Sequence, residues 1–335
     1  MSNWRGRTGP LLIAEIGGNH EGDPDYALKL AKLAIEAEVD FIKFQIYTGD
    51  TLVSQIESPQ RNEHFKKFEL DRNKHITLAE LCKENEIGYM ASVWDVEAID
   101  WIDPYLNIYK IGSGDLTAYP VLAKIASKNK PIILSTGLAE QHEVAECINF
   151  LTNTNPIYKG KENLALLQCT SMYPIPESDA NLNVMRGYKK AFGYPVGYSD
   201  HTEGMKALEI AVAMGAEILE FHFTDSREDK SFRDHKVSLT KDEVIELKQK
   251  IKRIYTLQGN SEKTTLDIER DHFISFRRAI YPKVDIAADT IITEEHLTCL
   301  RPNHGIDARE FKKLIGKRPK QDLKRHQKLV WDLFY

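Results

Sequence analysis

The sequence has little cysteine, and what it has is scattered: Cys82, Cys147, Cys169 and Cys299 include no CxxC pair. That spacing excludes a zinc knuckle and a disulfide framework, and the four read as free thiols. An excess of positive charge is also missing. Lys and Arg number 45 against 50 Asp and Glu, a formal net charge of -5, so no global field favours nucleic acid or an anionic membrane, and an anionic ligand must be held by local cations. No apolar run approaches a membrane span, and the opening Met1-Ser2-Asn3-Trp4-Arg5-Gly6-Arg7 lacks the apolar stretch of a signal peptide. The expectation is a cytoplasmic protein with a small-molecule substrate and no nucleic-acid or membrane partner.

At 42% apolar and 28% charged residues over 335 positions, the chain suits a large barrel plus one small domain and excludes disordered and fibrous classes. Eight short apolar runs recur: Leu11–Ile16, Phe41–Gln45, Tyr89–Ser92, Ile108–Ile111, Ile132–Leu134, Leu164–Gln168, Val196–Tyr198 and Ile218–Phe221. Stretches of helical spacing fill most of the gaps. Alternation of this kind, eight times over, is what a (β/α)8 TIM barrel requires, because each parallel neighbour needs a crossover helix; a doubly wound open sheet is the rival that the count disfavours. The polar segment between Ile46 and Lys74 reads as an excursion over the barrel mouth. A helix over Lys241–Gln258, opened by Thr240 and Glu243 as a capping box, closes the barrel domain at Gly259. The expected organisation is a barrel over 1–259, a linker over 260–277 and a small strand-and-turn domain over 278–335.

Side chains alternate along a strand, so parity separates the barrel interior from the helix-facing side. Leu11, Ile13 and Glu15 share one face. If Ile42 and Phe44 face the helices, Lys43 and Gln45 point inward, and Lys110 reads the same way ahead of Gly112-Ser113-Gly114-Asp115. Buried cations need counter-charge. A small dianion carrying phosphate and carboxylate would supply it, and the alternative is plain ion pairing of Lys43 and Lys110 with Glu15 or Asp115. Active sites of this barrel collect at the C-terminal strand ends, where these residues lie. Ser92, Ser113, Ser135, Ser171 and Ser199 follow successive strands as either phosphate donors or helix caps. His201 and His222 end neighbouring strands and suggest a two-histidine divalent-metal site with open positions. Glu220 shares inward parity with His222, as its neighbour or as a partner of Lys43. Asp234-His235 would either overhang the opening or form a solvated loop.

These motifs, in this order, resemble the sialic acid synthase family, which includes N-acetylneuraminate, legionaminate and pseudaminate synthases. The carriers span nearly the whole chain: Ala14-Glu15-Ile16-Gly17-Gly18-Asn19-His20-Glu21-Gly22, Lys43-Phe44-Gln45, Lys110-Ile111-Gly112-Ser113-Gly114-Asp115, Leu134-Ser135-Thr136-Gly137, Gln168-Cys169-Thr170-Ser171-Met172-Tyr173-Pro174, Gly197-Tyr198-Ser199-Asp200-His201-Thr202 and His222-Phe223-Thr224. Arg301-Pro302-Asn303-His304-Gly305 and Leu314-Ile315-Gly316-Lys317-Arg318 resemble the family's antifreeze-like (SAF) domain. The resemblance implies a metal-dependent transferase that joins phosphoenolpyruvate to an N-acylated amino sugar, N-acetylmannosamine or a 6-deoxy-diacetamido hexose, and releases phosphate. It implies a phosphoenolpyruvate cradle of Lys43, Ser92, Lys110, Ser113, Ser135, Ser171 and Ser199. It places manganese, or magnesium or cobalt, on His201 and His222, and gives Glu15, Gln45, Tyr173 and Asp234 to the sugar, with Glu15 also a candidate for proton transfer. It further implies a domain-swapped homodimer in which Arg301 reaches the other subunit's sugar.

The chain departs from that pattern beside the sugar pocket. Phe221 stands where a cationic residue is usual, Phe232-Arg233-Asp234-His235 replaces Gly-Pro-Asp-His, and Val93 replaces the usual proline after Ser92. Two other readings are compatible with the sequence: a synthase acting on a phosphorylated aldose, for which the sequence shows no spare cationic cluster, and a non-catalytic barrel scaffold.

Overall fold

The computed structural model describes residues 4–335. It divides into two compact units, Met1–Gly259 and Asn260–Tyr335. In the first, eight parallel strands close into a barrel: β1 Gly9–Glu15, β2 Phe41–Ile46, β3 Gly88–Val93, β4 Tyr109–Ile111, β5 Ile132–Ser135, β6 Leu164–Cys169, β7 Val196–Asp200 and β8 Ile218–His222. Each pairs in parallel with the next, and β8 returns to β1 with Leu11 opposite Ile218 and Glu15 opposite His222. Closure leaves no exposed edge, so the fold is the TIM barrel that the eightfold alternation requires.

Parity accounts for the two cores. Ile42, Phe44, Tyr89, Ala91, Leu134 and Leu166 pack in the layer between strands and helices. Leu11, Ile13, Met90, Ile108, Ile133, Leu167 and Ile218 fill the barrel interior, with Trp4 packed against the same cluster. Two residues further along each strand the same inward face turns polar, at Glu15, Ser92, Lys110, Ser135, Cys169 and Glu220. The barrel is thus apolar below and charged at its C-terminal mouth.

The segment between β2 and β3 carries the helices Gly49–Leu52, Pro59–Phe68 and Arg72–Glu84. In the second, Arg61, His64, Phe65 and Phe68 recur at helical spacing and line the mouth. Asn62 anchors the excursion by donating to the carbonyls of Gly49 and Val53 at 2.9 and 2.7 Å.

Behind the sheet, His20 and His75 flank Phe44, and both are buried. Burial lowers His20 to about 4 and His75 to about 3. Both stay neutral in the fold, whereas an unfolded imidazole protonates near 6.5. The unfolded chain therefore binds more protons as pH falls below about 6.5, and stability declines until the folded values are reached. Between pH 7 and 5 each imidazole should cost about 2 kcal/mol, read as a falling urea midpoint. In His20→Asn, whose amide oxygen can accept the Gly22 N–H that His20 accepts at 3.0 Å, that part of the slope should vanish.

The second unit has its own core of Ile280, Ile292, Leu297, Leu314, Leu323 and Leu329 around the antiparallel pair β9 Ala279–Pro282 and β10 Leu297–Leu300. The 260–277 stretch, read from its polarity as a linker, is not featureless: it carries a 3-10 turn at Asp267–Glu269 and a helix at Arg270–Phe276. Phe273, Ile274 and Phe276 give that helix its own apolar content, which polarity at Asn260–Thr265 obscures. Among the described residues no helix is long and apolar enough to cross a membrane.

Candidate active site

A cavity of about 1000 Å³ opens at the C-terminal mouth of the barrel. Of the fourteen sequence-derived candidates, thirteen line it: Glu15, Lys43, Gln45, Ser92, Lys110, Ser113, Ser135, Ser171, Tyr173, Ser199, His201, His222 and Asp234. The fourteenth, Arg301, belongs to the second unit, where its guanidinium lies 5.5 Å from the Phe276 ring centre. The register explains the gathering. Glu15 stands opposite both Lys43 and His222, Ser92 opposite Gln45 and Lys110, and Ser199 opposite Cys169 and Glu220.

Two lysines and two carboxylates form the floor. Lys43 Nζ lies 2.9 Å from Glu15 Oε2 and 3.7 Å from Glu220 Oε2, and Lys110 Nζ lies 3.2 Å from Glu220 Oε1. Lys110 is therefore paired with Glu220 and not with Asp115. Ser199 donates to Glu220 at 3.0 Å, and Gln45 donates to Glu15 at 2.8 Å. Burial pushes Glu15 up and the Glu220 charge adds to this, against the pull of Lys43. Glu220 is just as buried, yet Lys110 and Lys43 together outweigh burial and hold it down. Burial and the two lysines thus drive these neighbouring carboxylates in opposite directions, Glu15 up and Glu220 down. Burial lowers Lys110, with Glu220 only partly offsetting it. A dianion would restore what that cation lacks.

The turn after β1 keeps this floor open. Gly17 has φ +51°, and a Cβ there would come within 2.9 Å of Glu15 Oε1 and 3.1 Å of Gln45 Nε2. Hydroxyls surround the lysines: Lys43 donates to Ser92 Oγ at 3.4 Å, and Gly137 N–H donates to Ser113 Oγ at 3.0 Å. Ser135 Oγ is buried with no partner. A buried hydroxyl aimed into a cavity without a partner is what an anion-binding donor looks like before its ligand arrives. Asp115 lines the same side, and burial raises its carboxyl to about 6 against the pull of Lys110.

On the other side three rings meet. Tyr173 lies 4.1 Å from His201 and 5.4 Å from His222, and the two imidazoles are 5.3 Å apart, centre to centre. His201 Nδ1 sits 2.7 Å from the Thr170 carbonyl, which fixes the proton there and leaves Nε2 as the free donor atom. Burial works against protonated His201, but the contacts with Cys169 and Thr170 outweigh it and raise this imidazole. Burial, His201 and Lys43 drive His222 well below its ordinary value. His222 Nδ1 is buried without a hydrogen bond, with Asp234 Oδ2 3.9 Å away. Among the described residues no three His, Cys, Asp or Glu side chains form a metal cluster. The protein offers two imidazoles, one with an orphaned nitrogen, and a divalent ion there would take its remaining positions from water or substrate.

Asp234 and His235 are 6% and 1% exposed, so the solvated-loop reading of them is wrong. Asp234 faces the cavity. His235 turns away, 2.7 Å from Thr224 Oγ1 and 3.2 Å from Glu21 Oε1, and holds the loop to the β1 turn. Several other lining residues lie outside the sequence-derived set, although Cys169 shares the inward parity of Leu167 on β6. Cys169, read as one of four plain thiols, lies 3.8 Å from His201 Nδ1, and Trp94, Arg61, His64, Phe68, Phe232 and Arg233 also face the cavity. Arg61, His64 and Arg233 are cationic or titratable groups at the rim that the sequence did not show as a cluster.

The chain matches the NeuB family over residues 30–263 and the SAF domain over residues 277–334. It is 36% identical to the N,N'-diacetyllegionaminic acid synthase of Campylobacter jejuni, over 92% of this chain and 95% of that protein. It is 31% identical to human N-acetylneuraminate-9-phosphate synthase, over 94% of this chain and 90% of that protein. Among solved structures, the N-acetylneuraminic acid synthetase of Leptospira borgpetersenii superposes with a TM-score of 0.71 at 30% identity, covering 78% of this chain and 89% of that one. The eight-stranded barrel, its charged mouth and the appended SAF domain thus place this chain in the sialic acid synthase (NeuB) family.

Proposed function

We propose that the barrel joins phosphoenolpyruvate to the open-chain aldehyde of an N-acylated amino sugar, N-acetylmannosamine or a 6-deoxy-diacetamido hexose, releasing phosphate and forming a nonulosonic acid. The observation that carries this reading is the floor: two buried lysines at the ends of β2 and β4, with β3 between them, share Glu220, 3.7 and 3.2 Å away, beside the unpartnered Ser135 hydroxyl. Phosphoenolpyruvate carries phosphate and carboxylate on three carbons, which matches paired cations ringed by hydroxyls. The similarity to synthases of legionaminic and N-acetylneuraminic acid supports it.

Lys43, Lys110, Ser92, Ser113, Ser135, Ser171 and Ser199 hold the phosphoenolpyruvate. Gln45, Tyr173 and Asp234 orient the sugar so that its aldehyde carbon faces the enol carbon. His201 and His222 would hold a divalent ion, manganese first with magnesium or cobalt as alternatives, and when bound it supplies Lewis-acid polarisation of the aldehyde oxygen. As the carbon–carbon bond forms, Glu15, whose burial favours the protonated acid, gives its proton to the new alkoxide. Water adds at the oxocarbenium-like carbon and returns a proton to Glu15. The tetrahedral centre then loses phosphate through carbon–oxygen cleavage; its hydroxyl proton leaves with the phosphate, whose charge Lys110 and the serines receive.

The test is phosphate release from phosphoenolpyruvate with manganese, across free and phosphorylated hexosamines, with product masses read in parallel. Release with one N-acylated free sugar, abolished by a chelator, is the expected result; release without metal dependence or with no condensed product would overturn it. Arg61 and His64 at the rim favour one second reading, a sugar bearing its own phosphate, and a preference for the phosphosugar in the same panel would establish that. A free-thiol protein supplied with phosphoenolpyruvate belongs in the cytoplasm.

We place the protein in a domain-swapped homodimer, with Arg301 of the partner subunit completing the sugar site. Arg301→Ala and His222→Ala chains, each expected to be inactive alone, should regain activity when unfolded and refolded together. One barrel in the mixed dimer would then keep both groups. No recovery on mixing would show that Arg301 acts within its own chain, and full activity of Arg301→Ala alone would show that it takes no part.

A further inference from the structure

Phe232 and Arg233 stand where the family pattern has a glycine and a proline, and the two side chains reach in opposite directions across the mouth. The Phe232 ring lies 4.9 Å from Phe68 and 6.2 Å from His64, and those two rings are 4.4 Å apart. On the β1 side, a Cβ on Gly18 would come within 2.8 Å of the Phe232 ring, so the ring needs the glycine there in order to seat. Arg233 instead stacks over Tyr173, 4.7 Å from the ring centre, and its Nε donates to Asp234 Oδ1 at 3.2 Å. The loop after β8 is therefore braced on the helix Pro59–Phe68 by one residue and on the loop after β6 by the next.

This bracing divides the cavity by chemistry. Its floor is lysine, carboxylate and serine, while the wall beside Asp234 is Phe232 and Phe68, with Leu52 and Val53 on the same lining. The faces of the Phe232 and Phe68 rings have no partner for a hydroxyl, and His64 beside them is the polar ring of the same stack. A sugar hydroxyl pressed against those faces loses its water and gains no hydrogen bond, whereas a methyl group there gains from leaving water.

We infer that Phe232 is a specificity-determining residue of this enzyme, forming an apolar wall that takes a deoxy carbon or acyl methyl of the amino sugar in preference to a free hydroxyl. The inference rests on the sugar-condensing reading above, and selects the deoxy, doubly acylated class within it. Arg233 keeps Asp234 on the polar side of the same sugar, so the two loop residues read opposite faces of one substrate.

The experiment compares the wild-type protein with Phe232→Ala and Phe232→Leu, using a 6-deoxy-diacetamido hexose and N-acetylmannosamine as alternative substrates. Wild type should favour the deoxy sugar by tenfold or more in kcat/KM, roughly the discrimination that an apolar pocket achieves for one or two carbon groups. Phe232→Ala should erase about tenfold of that preference through the sugar KM, leaving the phosphoenolpyruvate KM within about twofold. Phe232→Leu, still apolar, should keep most of it. A wild-type preference for N-acetylmannosamine, an unchanged ratio in Phe232→Ala, or a phosphoenolpyruvate KM that rises in step with the sugar KM would overturn the assignment. If the wild-type protein releases no phosphate with either sugar, the condensing reading fails on its own. The wall is then tested by titrating each sugar against fluorescence of Trp94, which lines the cavity: weaker binding of the deoxy sugar to Phe232→Ala supports it, and equal binding overturns it.

Discussion

Lys110→Met is expected to lower kcat/KM for phosphoenolpyruvate by about 10³-fold, the scale of losing a preorganised charge at a reacting phosphate. It should also cost about 3 kcal/mol of stability, because Glu220 would be left in the barrel with half of its counter-charge. The two effects separate in Lys110→Met/Glu220→Gln. That double variant removes a cation and an anion together and leaves the Lys43–Glu15 pair at 2.9 Å intact. Urea unfolding should show most of the stability restored, since replacing a whole buried pair is close to neutral. Phosphate release should stay at the level of the single variant. Recovery of activity along with stability would mean that Lys110 serves only to balance Glu220, and the anion-cradle reading would fall.

Replacement of His222 should be as damaging to turnover and somewhat gentler on the fold. In His222→Ala the lost ring has an Nδ1 with no hydrogen bond to break, so the stability cost is that of a cavity, about 2 kcal/mol. Turnover should fall by about 10³-fold, the several kcal/mol that a Lewis acid contributes. Manganese binding, followed by the paramagnetic signal of the free ion, should be lost in His201→Ala and His222→Ala alike. In the wild type it should weaken as pH falls. The sign follows from His201: its pKa is raised, its proton competes with the metal for the imidazole, and the competition begins above its ordinary titration range. A metal affinity indifferent to pH, or retained in both variants, would remove the histidine pair from the metal site.

Much of this site was open to a reading of the strands alone. A parity of two along Leu11, Ile13 and Glu15, and along Phe41, Lys43 and Gln45, sends the charged residues inward with no knowledge of their neighbours, because a pleated strand leaves a side chain only two directions. Eight such strands bring those residues to one mouth. The partners were harder. Lys110 could be paired on paper with Asp115, five residues on, but the barrel register sets Ser199 beside Glu220, and Glu220 takes Lys110 instead. Strand parity names the face a residue points to and says nothing of who stands across the barrel.

The loops were less legible still. Phe232, Arg233, His64 and Phe68 come from two excursions more than 150 residues apart, and neither has a periodicity that predicts where it lands. Asp234 and His235 looked equally polar, yet one faces the cavity and the other locks the loop to Glu21. The helix at Arg270–Phe276 sat unseen behind a polar stretch for the same reason: composition reports average solubility, not local packing.

The sequence by itself determined the eightfold alternation, the inward charges and the two histidines at adjacent strand ends, since these follow from short-range geometry that every strand obeys. Only the tertiary structure decided which carboxylate faces which lysine, which histidine keeps an orphaned nitrogen, and how Phe232 packs on Phe68 at the cavity wall. Those are contacts between segments far apart in the chain, and their energies are fixed by distance and burial, which one-dimensional spacing does not contain.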